Sequence, residues 1–170
     1  MADEKREILK LTKKALDEAA DIFRKSLKDQ GHVLTGRLLN SIEAIAIDAN
    51  GIISAYIEME DYYEVVDKGV SASNIPFNPG SGAKSSKYIN ALIRFFKLRG
   101  LSNKRAKSAA FATAYVHKRE GMPTRRSSIF SVNKRRTGFV SKNIAPVNKK
   151  FIELIDSKID DLLFGKFILE

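Results

Sequence analysis

The sequence predicts an α+β fold: a small antiparallel or mixed sheet of about four strands, packed with a long N-terminal helix, a central helical hairpin and a C-terminal helix. Three observations predict it. Residues 3–29 repeat apolar side chains at three- and four-residue steps, as an amphipathic helix does. Ile42 to Ile47 and Ile52 to Met59 alternate as strands do, around the turn Asp48-Ala49-Asn50-Gly51. Residues 85–119 and 149–164 return to helical spacing. A chain of 170 residues with a hydrophobic fraction of 44% fits a single domain, 1–170, with a real core.

The elements follow in order. Ile8, Leu11, Ala15, Ala19, Ile22, Phe23 and Leu27 form one face of the first helix. Asp3, Glu4 and Glu7 lie near its positive end, where carboxylates are favoured, and Gly31 is its stop. Thr35 can cap a short turn running to Ser41. The hairpin should lay Ile45, Ile47, Ile53, Ala55 and Ile57 against a neighbour such as the first helix. Asp61 can cap a second short helix, which Gly69 can end with positive φ. Residues 69–84 are rich in Gly, Ser, Asn and Pro and are expected to form a mobile loop. Within it Phe77, between Pro76 and Pro79, suits either an anchor for the loop or insertion into a neighbour.

Tyr88, Ile89, Leu92, Ile93, Phe95 and Phe96 stripe the helix 85–99, and Ala106, Ala110, Phe111, Ala114 and Tyr115 stripe 103–119. Gly100 and Ser102 punctuate the pair as stop and cap. A lone hairpin is marginal in water, so further strands are expected at Ser127–Val132 and Gly138–Ile144, with Lys134-Arg135-Arg136-Thr137 as their turn. The last helix, 149–164, leads into an apolar tail, 164–170, whose Phe167, Ile168 and Leu169 suit docking on a partner subunit.

Charge is unevenly spread. The chain carries a net +10, but residues 84–150 hold 18 basic side chains against one acid, Glu120. Residues 1–83 hold 10 basic and 14 acidic side chains, and residues 151–170 hold 2 and 5. Such a field suits a polyanionic partner, either nucleic acid or an acidic protein surface; it also suits a solvated face that keeps the chain soluble. Arg99, Lys104, Arg105, Arg125, Arg126, Lys134, Arg135 and Arg136 are the candidates for facing DNA or an acidic surface. No zinc-finger, homeodomain or RNA-recognition signature accompanies them, so contact would be to phosphate and salt-sensitive.

The chain has no cysteine, which removes disulfide and thiol chemistry. The charged start Met1-Ala2-Asp3-Glu4-Lys5-Arg6 does not resemble a secretory leader, and no apolar run reaches the ~20 residues that span a bilayer, so no membrane partner is expected. Gly80-Ser81-Gly82-Ala83-Lys84-Ser85 falls short of a phosphate-binding loop: Asn78 and Ala83 stand where its two glycines belong, and no apolar strand precedes it. His32 and His117 are too few for a metal set and read as surface or capping residues, with His117 near a helix C-terminus that favours the imidazolium. Asp160 and Asp161 are sequence neighbours on a helix and do not face each other. No nucleophile elbow is present. These residues therefore point to no enzyme, no catalytic residue, no metal and no cofactor.

Three segments, in this order, resemble a known family: Leu34-Thr35-Gly36-Arg37-Leu38 with Ser41-Ile42, then Tyr62-Tyr63-Glu64-Val65-Val66-Asp67-Lys68-Gly69, then Arg119-Glu120-Gly121-Met122-Pro123-Thr124-Arg125. They look like the tail-completion and neck proteins of long-tailed double-stranded-DNA bacteriophages, also described as head–tail joining or minor capsid proteins. Asp67 stands where that family more often has Glu, and Arg126 where proline is usual. The resemblance implies a structural virion protein, made in the host bacterial cytoplasm and built into the neck or tail top. It implies a homo-oligomeric ring that meets a portal or adaptor ring on one side and the tail tube or a tail terminator on the other, with genomic DNA passing through the lumen. Interface candidates on that reading are Phe77, Tyr62, Tyr63, Phe167, Ile168 and Leu169. Ring contacts join different patches of one subunit, so the acidic first half can meet the basic stretch of a neighbouring copy.

Overall fold

In the computed structural model the described residues are 2–50, 52–80 and 86–164, with side chains described from 5 to 157 among them. The fold is mixed α and β, and the chain gathers into two compact units: Met1–Tyr63 with Gly138–Glu170, and Glu64–Thr137.

The first unit is built on helix α1 (Ala2–Asp29). Thr12, Ala15, Leu16, Ala19, Ala20, Phe23 and Leu27 make its buried stripe, and the small side chains among them let other backbones come close. Gly31, at φ 70°, ends the helix. The Gly31 N–H donates to the Lys28 carbonyl at 2.8 Å and the His32 N–H to the Leu27 carbonyl at 3.2 Å, the double bond of a glycine-terminated helix. A short helix α2 (Arg37–Ser41) leads into strands β1 (Glu43–Ala49) and β2 (Ile52–Glu58), which pair antiparallel. Both strands lie on α1, and so does helix α6 (Ile144–Phe164). Leu27, Ile42 and Phe139 are fully buried here.

The hairpin register sorts the strand residues differently from the sequence expectation. Ala44 faces Ile57, Ala46 faces Ala55 and Asp48 faces Ile53, whereas Ile45 faces Tyr56 and Ile47 faces Ser54. Cross-strand partners share a face, so Ile45 and Ile47 lie on the opposite face from Ile53, Ala55 and Ile57. The five cannot pack on one neighbour together. Ala44 is buried, and Ile47 is exposed.

The expected four-stranded sheet is corrected to two strands among the described residues. Ser127–Val132 is no strand: Arg125–Phe130 winds as a 3-10 helix. Its serines explain why. Ser127 Oγ donates to the Thr124 carbonyl at 2.6 Å, Ser128 Oγ to Arg125 at 3.3 Å and Ser131 Oγ to Ser128 at 2.9 Å. Hydroxyls that bond the carbonyl three residues back give the chain a local alternative to a ladder. Gly138–Ile144 is no strand either. The Val140 carbonyl accepts from the N–H groups of Asn143 at 2.8 Å and Ile144 at 3.0 Å, which turns the chain into α6. That helix starts earlier than the expected 149 because Pro146 falls in its first turn, where a missing N–H costs no internal bond.

The second unit holds most of helix α3 (Tyr63–Lys68), a 3-10 turn at Ala72–Asn74, helices α4 (Lys87–Leu98) and α5 (Asn103–Glu120), and the 3-10 helix Arg125–Phe130. Ser86 caps α4, its Oγ accepting from the Ile89 N–H at 3.1 Å. Gly100, at φ 87°, closes it in the same way as Gly31 closes α1, with Leu101 N–H donating to the Phe96 carbonyl at 3.1 Å. α5 packs on α4, and its Ala106, Ala110 and Ala114 form one stripe of small residues with no exposed surface.

Candidate functional site

In the first unit, the Leu34–Ile42 segment forms a tight junction with the end of β2. Gly36, at φ 71°, turns the chain into α2, and the Arg37 N–H leans on Thr35 Oγ1 at 3.4 Å rather than on a full cap. Leu38 is buried. Ser41 Oγ donates to the Leu38 carbonyl at 3.0 Å and accepts from the Glu60 N–H at 3.1 Å. Arg37 grips Glu60 with two bonds, Nε to Oε1 at 2.9 Å and Nη2 to Oε2 at 3.0 Å. The Glu60 carboxylate holds the Arg37 guanidinium more firmly protonated than usual, first through that hydrogen bond and then through its charge. Tyr62 is exposed beside it, and partial burial pushes its hydroxyl pKa up, helped by the Glu60 charge. Tyr63 is half-buried and its N–H donates to the Glu60 carbonyl at 2.9 Å, which closes a turn ahead of α3.

Tyr63 also lines an open groove of about 680 Å³ within this unit. Leu16 and Phe23 of α1, Ile57 and Met59, and Val147 and Phe151 of α6 are among the residues that line it. The lining is mostly apolar and includes no group of catalytic type beyond the Glu58 carboxylate and the tyrosine hydroxyls.

In the second unit, the other two motif segments meet. The Val70 N–H donates to the Met122 carbonyl at 2.7 Å, and the Met122 N–H to the Val70 carbonyl at 2.8 Å. Gly69 and Gly121 flank this bridge at φ 78° and 83°. A Cβ on Gly69 would come within 2.4 Å of the Met122 carbonyl oxygen, and one on Gly121 within 2.6 Å of the Val70 oxygen. Glycine is required at both positions by conformation and by space. Beside the bridge, Glu120 accepts from Arg119 Nη2 at 2.7 Å and from the Arg125 N–H at 3.3 Å, which holds its carboxyl below the usual range.

The described part of the 69–84 loop is tied down. Ile75 is buried, and Phe77 stands edge-on to Tyr115 with ring centres 5.0 Å apart and to Phe111 at 6.4 Å. Phe77 is therefore an anchor for the loop. Lys118, one of the basic stretch, serves the same end: its Nζ donates to the Ile75 carbonyl at 3.2 Å and the Ser73 carbonyl at 3.5 Å. Composition alone gave no sign of that role. His117 is half-buried, its Nδ1 2.6 Å from the Tyr88 hydroxyl. Burial pushes the imidazole pKa down and the Tyr88 pKa up, so desolvation outweighs the helix-end effect expected for His117.

The basic candidates all belong to this second unit, which carries 16 basic against 3 acidic side chains, a net +13, while the rest of the chain carries −3. Lys104, Arg105, Arg125, Arg126, Lys134 and Arg135 are exposed. Arg99 is exposed with its guanidinium 4.5 Å above the Phe95 ring. Arg136 is half-buried, and burial lowers its pKa, with the Arg99 charge adding to the effect. Phe167, Ile168 and Leu169 lie outside the described residues. Among the described residues no cluster of His, Asp or Glu could hold a metal ion, and no helix is long and apolar enough to cross a membrane. No protein-family model, curated protein or solved structure matches the chain.

Proposed function

We propose that this chain is a structural subunit of a phage neck or tail top, assembling into a ring that joins or completes the tail at the head–tail interface. One observation carries the reading beyond motif order. Several residues of the three family-like segments hold the local fold: Gly36, Leu38 and Ser41 build the junction with Glu60, and Gly69 and Gly121 permit the Val70–Met122 bridge. The chemistry available suits a building block, with apolar surface left open at the groove and at Ile52, Val65, Ile129 and Val132. A portal or adaptor ring and a tail tube or terminator are the partners this reading assigns, with the virion as its place.

Native mass spectrometry of the purified chain, with a pull-down on tails from the same phage, tests it. A ring-sized oligomer, or stoichiometric binding to tails, is expected. A chain that stays monomeric and is missing from purified particles overturns it. A second reading, a non-specific nucleic-acid-binding protein using the basic 84–150 region, is favoured by the net +13 of the second unit.

A further inference from the structure

The α4–α5 corner carries six cations between residues 94 and 107. Arg94, Lys97 and Arg99 stand on the last turns and end of α4, and Lys104, Arg105 and Lys107 on the first turn and a half of α5. All six are exposed, and none forms an ion pair with a described residue. The ion pairs within this unit are elsewhere, at Glu64–Lys68 and Arg119–Glu120 among the described residues. From residue 86 to 119 the chain has no acidic side chain.

The corner is also held in shape. The Gly100 N–H donates to the Lys97 carbonyl at 2.9 Å, the Leu101 N–H to Phe96 at 3.1 Å, and the Ala106 N–H to Ser102 at 2.8 Å. Ala106 and Ala110, on the same helix as three of the cations, are fully buried. The fold accepts this charge at some cost. The first turn of α5 has no acid, although the helix N-terminus favours carboxylates and disfavours cations.

We infer that this corner is a docking surface for the phosphate backbone of double-helical DNA. A surface of one sign calls for a ligand of the other sign throughout, and duplex DNA offers one charge per ~1.7 Å of axis. The remainder of this chain, at −3, is a poor complement, so pairing between copies does not explain the cluster. Single strands are disfavoured because they are held by open aromatic platforms. Here Phe95 is half-buried, 5.1 Å from Phe96 and edge-on to it, with Arg99 over its ring. The corner supplies no built recognition of base edges, so sequence preference is not expected.

This inference deepens the second reading above and holds whether or not the chain forms a ring. Fluorescence anisotropy of a short labelled DNA duplex with the full chain, across a salt series, tests it. The expected log–log salt slope becomes shallower by about two for Lys104→Gln/Arg105→Gln and again for Arg94→Gln/Lys97→Gln, at roughly 0.9 for each phosphate that is no longer neutralised. Lys14→Gln/Lys28→Gln on α1 leaves it unchanged. Circular dichroism should show Lys104→Gln/Arg105→Gln melting no lower than the parent, because it removes cations from a helix start. Duplex binding with an unchanged slope in both corner variants overturns the surface assignment and leaves the second reading standing. No duplex binding at low salt overturns both. Poly-glutamate or a single strand binding more tightly than the duplex also overturns the assignment. Native mass spectra of the same variants report on the ring separately.

Discussion

At Gly69 and Gly121 a single methyl group decides whether the second unit closes. Each position combines positive φ with a carbonyl oxygen 2.4 or 2.6 Å from where a Cβ would sit. Gly121→Ala is expected to destabilise by about 2–4 kcal/mol, above the ~1 kcal/mol of conformational strain alone. Gly80→Ala is the control, since it has φ 85° and open space around it, and should cost only the strain. Urea unfolding of the three proteins measures the difference. His117 gives a second test. Its folded pKa lies below the usual 6.5, so the unfolded chain binds the proton more readily. Its contribution to stability is complete above about pH 6.5 and is lost as pH falls toward the folded pKa. His117→Gln should flatten that part of a melting-temperature profile. The sequence showed His117 near a helix end but could not show Tyr88 beside it, 29 positions earlier in the chain.

At the scale of elements, helices were legible and strands less so. Glycine stops and apolar spacing placed α1, α4 and α5 within two residues, because both signals are local. The β1–β2 hairpin was equally visible, but its register was not: choosing which isoleucines share a face needs the pairing itself. The two further strands failed for a different reason. Ser127–Val132 was expected to pair only because a lone hairpin is marginal, but three serine hydroxyls satisfy nearby carbonyls and favour a 3-10 turn. The contacts of the 69–84 loop were not legible in its described part, since turn-forming composition says nothing of a lysine 43 positions away that bonds the Ile75 carbonyl. Lys118→Met should leave α5 intact and speed amide hydrogen exchange at residues 72–77. Unchanged exchange there would show that the Phe77 stack alone secures the segment.

For the whole molecule, the charge asymmetry seen in the sequence coincides with the division into two units. The first unit combines a long helix, a hairpin and an apolar groove; the second concentrates the cations. That division separates two kinds of association by their response to salt. Contacts made through apolar surface persist as ionic strength rises, whereas contacts to phosphate weaken steeply. A salt series on the native mass-spectrometry experiment should therefore keep any ring held through the groove and lose one held by pairing the acidic and basic parts of neighbouring copies. The candidate basic residues were legible because exposure of Lys and Arg is the rule. The half-burial of Arg136 was not, since that depends on what the fold packs over it.

The Val70–Met122 bridge has one more consequence. Two hydrogen bonds bring the beginning and the end of a long excursion side by side, so the polypeptide leaves and re-enters at the same doorway. Segments with a shared entrance and exit can grow or shrink without moving their anchorage. Between Val70 and Met122, Gly80 has open space around it and lies outside the packed helices, so that is where inserted residues, a fluorescent reporter or an epitope would be tolerated best, provided the two glycines at the threshold stay.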